Sequence, residues 1–292
     1  MASTRDSFKS GSFVREGPPT VVSPRDERRQ VTNLDEWLTW AGPLRGELHW
    51  ADGRSAKEVA KAWLGSDGTV AVPPDLQSLL NCNATLGELR VATVIPELPT
   101  PLGDVPSGPR RHDLVLLASD TKGRPTLIGV EAKADEAFDE PVAVRVAQAR
   151  KAAAAAAEEE RAFESAQLPR IERLSRTLFG RPALLEDGSP APEIGVLPYQ
   201  LLAATAGTLI EASTRGAEQA VFVVHAFHSE SLDRDRLAAN DAGYARFLAA
   251  LPGGTTLAPS YGLLHGPLQV PGGEGVPGMP LYVGITSTTL AT

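Results

Sequence analysis

The residues whose types and spacing best suit chemistry lie in one short stretch: His112-Asp113-Leu-Val-Leu-Leu-Ala118, a polar turn from Ser119 to Pro125, then Thr126-Leu-Ile-Gly-Val-Glu131-Ala-Lys133. Apolar runs on either side of a turn containing Gly and Pro predict two antiparallel strands. With the turn centred near Lys122, cross-strand partners sum to 244, so Asp113 falls opposite Glu131 with Cβ atoms roughly 4.5–5.5 Å apart. Side chains alternate along a strand, so Glu131 and Lys133 share a face, and the even sum puts Asp113 there too. Two carboxylates this close repel unless a proton or cation sits between them, and Mg²⁺ favours one or two carboxylates plus water. Mg²⁺ or Mn²⁺ is therefore the expected cofactor, with Asp113 and Glu131 as ligands. The Lys133 ammonium is suited to orient a water nucleophile or to stabilise charge developing on a phosphoryl group, which fits phosphodiester hydrolysis. On spacing alone the alternative is a structural ion pair of Lys133 with Asp113 or Glu131, because Glu-x-Lys often arises by chance.

The elements that must position these residues are legible in part. Residues 1–30 mix Ser, Gly, Pro and charges without periodicity and read as a mobile arm. Helices are expected from Leu34 through Trp40 and from Ser55 through Leu64, with the tryptophans as core anchors. Strands are expected at Leu89–Ile95, Asp113–Ala118 and Thr126–Ala132, and apolar residues on both faces of the hairpin place it centrally under helices. Helices should follow over Val142–Ser165, Pro169–Phe179 with Gly180 as cap, and Pro198–Ala212. A buried strand at Gln219–Phe227 and a helix at Arg234–Leu251 complete a domain spanning 31–251. The tail, 252–292, reads as a Gly/Pro-rich loop with a last strand at Leu281–Thr286, packed on the same domain. The fold class is α/β, with a helical N-terminal portion.

Strand Asp113, turn, strand Glu131-Ala-Lys133, a helix and a later buried strand together resemble the restriction-endonuclease-like PD-(D/E)xK nuclease superfamily. More closely, Gly129-Val-Glu-Ala-Lys-Ala-Asp-Glu136, Phe138, Pro198-Tyr-Gln-Leu-Leu202 and Val223-Val-His225 look like a bacterial domain family of unknown function assigned to that superfamily, over roughly Ser55 to Leu251. The resemblance implies a restriction-endonuclease-like mixed sheet flanked by helices, metal held by Asp113 and Glu131, and catalytic assistance from Lys133. It also makes Gln200, on the following helix, a candidate catalytic residue. An upstream acidic metal ligand is implied as well, with Glu58 the first choice and Glu97 the second. His112 stands where the motif's proline would be. The resemblance equally permits a nuclease-fold protein that no longer cleaves and instead binds protein or nucleic acid, because fold does not fix function. The implied partner is nucleic acid, DNA ahead of RNA, and cutting both strands of a duplex would favour a homodimer or a protein partner.

Composition narrows the rest. A net charge of −8 argues against bulk coating of nucleic acid, which needs a broad cationic surface, so any contact is local. The single cysteine, Cys82, excludes an internal disulfide, and no stretch approaches the roughly 18 apolar residues that span a bilayer, so a cytoplasmic protein without a membrane partner is expected. Arg170, Arg173 and Arg176 recur every third position and either form a basic stripe or an ordinary solvated face. His225 and His228 turn to opposite faces of one strand, which weakens a joint metal site. Asp135, Glu136, Asp139 and Glu140 extend the acidic cluster and are read mainly as loop residues, with Glu136 a possible support for a second metal. Phosphate-loop, dinucleotide and nucleophile-elbow motifs are missing, which sets those enzyme classes aside.

Overall fold

The apolar alternation around Lys122 becomes the centre of an eight-stranded mixed sheet in the computed structural model. The structure describes residues 12–43, 46–65, 67–103, 108–158, 166–230, 233–254, 260–273, 276 and 278–290. Strands β1 (Thr20–Ser23) and β2 (Asp26–Gln30) precede helices α1 (Leu34–Ala41), α2 (Ser55–Trp63) and α3 (Pro74–Asn81). Then come β3 (Leu89–Pro96), the short β4 (Pro99–Thr100) and β5 (Arg110–Arg111), and the central pair β6 (Leu114–Asp120) and β7 (Pro125–Ala134). Helices α4 (Val142–Glu158), α5 (Gln167–Phe179), α6 (Pro192–Gly195) and α7 (Tyr199–Arg215) lead to β8 (Gln219–His228). The chain closes with α8 (Arg234–Ala250), β9 (Leu263–Gln269) and β10 (Pro280–Thr289).

The sheet order is β2-β1-β3-β6-β7-β8-β10-β9, with β4 and β5 forming a separate ribbon. β7, β8 and β10 run parallel, and β6 pairs with β7 antiparallel. The observed pair Leu114–Val130 carries the register that the turn predicts. Asp120 closes that turn: its Oδ1 accepts from the N–H groups of Lys122 and Arg124 at 2.8 and 2.9 Å.

Strand alternation sorts the core into two layers. Val115, Leu117, Leu127, Phe222, Val224, Val283 and Ile285 face α4 to α8, whereas Leu114, Leu116, Ile128, Val130 and Ala132 face α1 to α3. Trp37 and Trp63 are buried in the second layer as core anchors, while Trp40 lies at the surface under the Arg29 guanidinium, 3.8 Å from the ring centre. Helix α7 lies unusually close to β7, and the reason is Gly129: a Cβ there would meet Thr208 Oγ1 at 2.0 Å. No helix among the described residues is long and apolar enough to cross a membrane.

Several expectations change. Residues 20–30, expected within a mobile arm, form β1 and β2 at the sheet edge; β1 gains order by pairing with β3, a contact that composition does not reveal. The expected C-terminal loop contains β9, which pairs with β10 despite Gly266 and Pro267. Helix α3 was not anticipated, although Pro74 at its first position is a favourable start. The expected helix from 142 to 165 is seen to Glu158, and 159–165 lie outside the described residues. The arginine stripe on α5 does not form: Arg170 is buried and donates to Gly108 O at 2.6 Å, and Arg176 pairs with Glu172 at 2.6 Å.

Candidate active site

Four chain segments deliver charge to one end of the sheet. Glu131 and Lys133 come from the C-terminal half of β7, Asp113 from the bend that enters β6, and Arg110 and Arg111 from the β4–β5 ribbon. Glu97 follows β3 in a left-handed conformation, φ 50°, which turns the chain back towards β4. That ribbon is tied to α7 through Thr100, which donates to Glu211 Oε2 at 3.0 Å; Arg215, also on α7, pairs with Glu211 at 2.7 Å and with Glu27 of β2 at 2.6 Å.

Glu131 is the hub. It is 3% exposed, and its carboxylate pairs with Arg110, accepts from Gln200 Nε2, and lies 3.3 Å from Lys133 Nζ. Burial alone would push its pKa up; Arg110 and Lys133 outweigh that and hold it below the usual range. Gln200, in the first turn of α7, is itself fixed because its Oε1 accepts from the Asp139 N–H at 3.2 Å. Asp139 in turn pairs with Arg145, so the segment after β7 is anchored where it passes α7.

Asp113 has the opposite electrostatics. Its Oδ2 accepts from the Ala132 N–H at 2.7 Å, which sets it beside the Glu131–Lys133 strand. Burial and the neighbouring Glu131 carboxylate push its pKa well up, against the pull of Lys133. Glu97 is raised to about 7, first by burial and further by Glu131, while Arg111 and Arg110 oppose the rise. His112 is buried behind this cluster, beside Gly207 of α7, and burial together with Arg110 depresses its pKa.

The raised Glu97 pKa has a pH signature. A carboxyl that holds its proton more tightly folded than unfolded makes stability fall as pH rises from the ordinary value of 4.5 towards about 7. His112 and His225, whose pKa values are depressed, act in the reverse sense, since their stabilisation is lost as pH falls below 6.5. The Glu97 contribution is therefore isolated by difference: Glu97→Gln is expected to gain stability over wild type progressively from pH 4.5 to 7, measured by urea unfolding. A constant difference across that range would place Glu97 in water, away from the cluster.

Of the expected site residues, Asp113, Glu131, Lys133 and Gln200 come together. Glu58 does not. It lies on α2, whose neighbours Val59 and Trp63 pack in the layer opposite Glu131, and its carboxylate accepts from Gly53 N–H at 2.8 Å and Lys61 at 3.1 Å. Alternation puts Glu131 on the far side of the sheet from α2, so Glu58 is corrected to a helix-start residue. Glu97 and Arg110 are the acid and the base that join instead. Glu136, noted for a second metal, instead contacts Arg54 and Ser55 at 3.3 and 3.5 Å.

Hard oxygen donors on Asp113 and Glu131 suit Mg²⁺ or Mn²⁺, although the raised Asp113 pKa stems first from burial and only then from the Glu131 carboxylate. Among the described residues, no three carboxylate, imidazole or thiol groups form a ready cation cage. The Glu131 carboxylate is already held by Arg110, Gln200 and Lys133.

These features define a class: a mixed α/β protein whose eight-stranded sheet is flanked by helices and carries an acid–lysine cluster on β7 and the bend before β6. The chain belongs to a family known by a domain of unknown function, DUF6946, whose family model matches residues 30–289. Comparison with curated proteins and with solved structures finds no match.

Proposed function

We propose that the protein is a restriction-endonuclease-like nuclease of the PD-(D/E)xK type that hydrolyses phosphodiester bonds of DNA or RNA with Mg²⁺ or Mn²⁺. The observation that carries this reading is the convergence of Glu131 and Lys133 on β7 with Asp113 from the bend before β6, whose Oδ2 accepts from the Ala132 N–H, and with Gln200 reaching Glu131 from α7. Asp113 and Glu131 would hold the ion, which supplies Lewis-acid polarisation of the phosphate and a more acidic water. Gln200 orients the Glu131 carboxylate, so that one oxygen faces Lys133. Lys133 stabilises charge developing on the phosphoryl oxygens and positions the attacking water. Arg110 balances the Glu131 charge, and would share that carboxylate with an ion held there.

The Arg110–Glu131 pair also supports a second reading, a nuclease-fold protein that binds protein or nucleic acid without cutting, since a guanidinium already neutralises the would-be ligand. Metal binding separates the two. Under the nuclease reading, Mg²⁺ or Mn²⁺ at 100 times its Kd stabilises the fold by about 2.7 kcal/mol, seen as a rise in Tm, and Glu131→Gln removes the rise. A wild-type Tm unmoved by either ion favours the binding protein.

A further inference from the structure

The two oxygens of the Glu131 carboxylate are held differently. Oε1 is shared by Gln200 Nε2 and by Lys133 Nζ at 3.3 Å, whereas Oε2 has one partner among the described residues, the Arg110 guanidinium. Asp113, the second carboxylate, takes part in no ion pair among the described residues, and its Oδ2 accepts from the Ala132 N–H. Arg110 and Lys133 thus both serve one acid, and Arg110 covers the Glu131 oxygen left over for a divalent ion. The two cations compete for it strongly, because the place is nearly closed to water: the Glu131 side chain is 3% exposed and that of Arg110 10%.

Arg110 is itself incompletely satisfied. Its Nη2 donates to Glu131, but its Nε is buried and has no hydrogen-bond partner. A buried donor without an acceptor is costly. The single Glu131 oxygen engages one corner of the guanidinium fork, whereas a phosphate group, with several oxygens around one centre, accepts from Nε and Nη2 together. The stem of Arg110 runs beside Gly207 of α7, where an added Cβ would lie 3.3 Å from Arg110 Cδ, so the stem is confined and a change of partner is a turn of the head group.

We infer that Arg110 couples substrate to metal: a phosphate group takes the guanidinium from Glu131 Oε2, and the oxygen so released binds the divalent ion. Phosphate and metal then bind cooperatively, and without phosphate Arg110 keeps the ion weakly held. The inference rests on the nuclease reading for its two ligands, and its test does not require cleavage. Mn²⁺ binding is measured by titration calorimetry on the full chain, wild type and Arg110→Gln, in chloride and in sulfate at equal ionic strength, with sulfate standing in for a phosphate group. In chloride, Arg110→Gln is expected to bind Mn²⁺ about tenfold more tightly than wild type. Sulfate is expected to tighten wild type by about the same factor and to leave the variant unchanged, since the coupling is reciprocal and runs through Arg110. The sulfate comparison on wild type needs no variant, so it decides the matter if Arg110→Gln does not fold. A variant that binds Mn²⁺ no more tightly than wild type, or a wild-type affinity that sulfate does not raise, overturns the inference and leaves the nuclease reading standing. Failure of wild type and variant alike to bind Mn²⁺ in either buffer removes the nuclease reading, and this inference with it.

Discussion

Replacing Lys133 with alanine is expected to lower metal-dependent phosphodiester cleavage by about 10²–10³-fold, while the fold and the metal-induced rise in Tm persist. The reason lies in how the charges are shared. Lys133 touches Glu131 and also lines a small cavity at the carboxyl ends of β7 and β8, so its ammonium is placed to meet a phosphoryl group. Removing it does not orphan the Glu131 carboxylate, which keeps Arg110 and Gln200. The loss should therefore fall on the chemical step, in single-turnover kinetics, with little change in melting. Lys133→Arg should not restore the rate, since a planar guanidinium cannot reproduce a compact point charge at the end of a mobile stem. Cleavage by Lys133→Ala at the wild-type rate would return Lys133 to the role of a structural ion-pair partner.

The second large effect is on packing. Gly129→Ala is expected to destabilise the protein by about 1–3 kcal/mol, because the added methyl meets Thr208 Oγ1 at 2.0 Å and its Cβ and Cγ2 at 3.0 Å. Both partners are backbone-anchored and buried, so relief requires α7 to move away from β7. Gln200 rides on α7, so the same substitution should weaken its hold on Glu131 and reduce cleavage. Thr208→Ala combined with Gly129→Ala should recover part of the stability, since it removes the closest atom, although its Cβ remains at 3.0 Å. Urea unfolding of the single and double variants measures this coupling. A Gly129→Ala protein as stable as wild type would mean that α7 and β7 have room to spare.

The hairpin and its register were legible because a period of two, a polar turn and a one-residue penalty for slippage all point to one pairing. The same logic put Asp113, Glu131 and Lys133 on one face, and the structure brings them together there. Gln200 was named through family resemblance, and nothing in its own surroundings in the sequence would have singled it out. Glu58 lies away from the cluster and Glu97 beside it, for a physical reason. A helix with apolar residues at Val59 and Trp63 announces that it packs on a sheet, but not on which side. Glu97 carried a weak signal, an acid just after a buried strand, and its left-handed turn is visible only in three dimensions.

Arg110 reaches Glu131 because the β4–β5 ribbon folds back against α7, a contact between distant parts of the chain that the sequence does not announce. The edge strands were hidden for a different reason. Asp26–Gln30 is charged and mostly exposed, as suits an edge that resists pairing with other chains, and such strands lack the apolar alternation by which strands are recognised.

The account's central claim is hydrolysis at this cluster, and it is tested most directly by incubating the full chain with linear and circular, single-stranded and duplex DNA and RNA, in Mg²⁺, in Mn²⁺ and in EDTA. The account predicts cleavage that requires the divalent ion and is lost in Glu131→Gln. Intact substrates under every condition, from a folded wild-type protein, would contradict it and leave a nucleic-acid or protein binder built around an arginine-neutralised site.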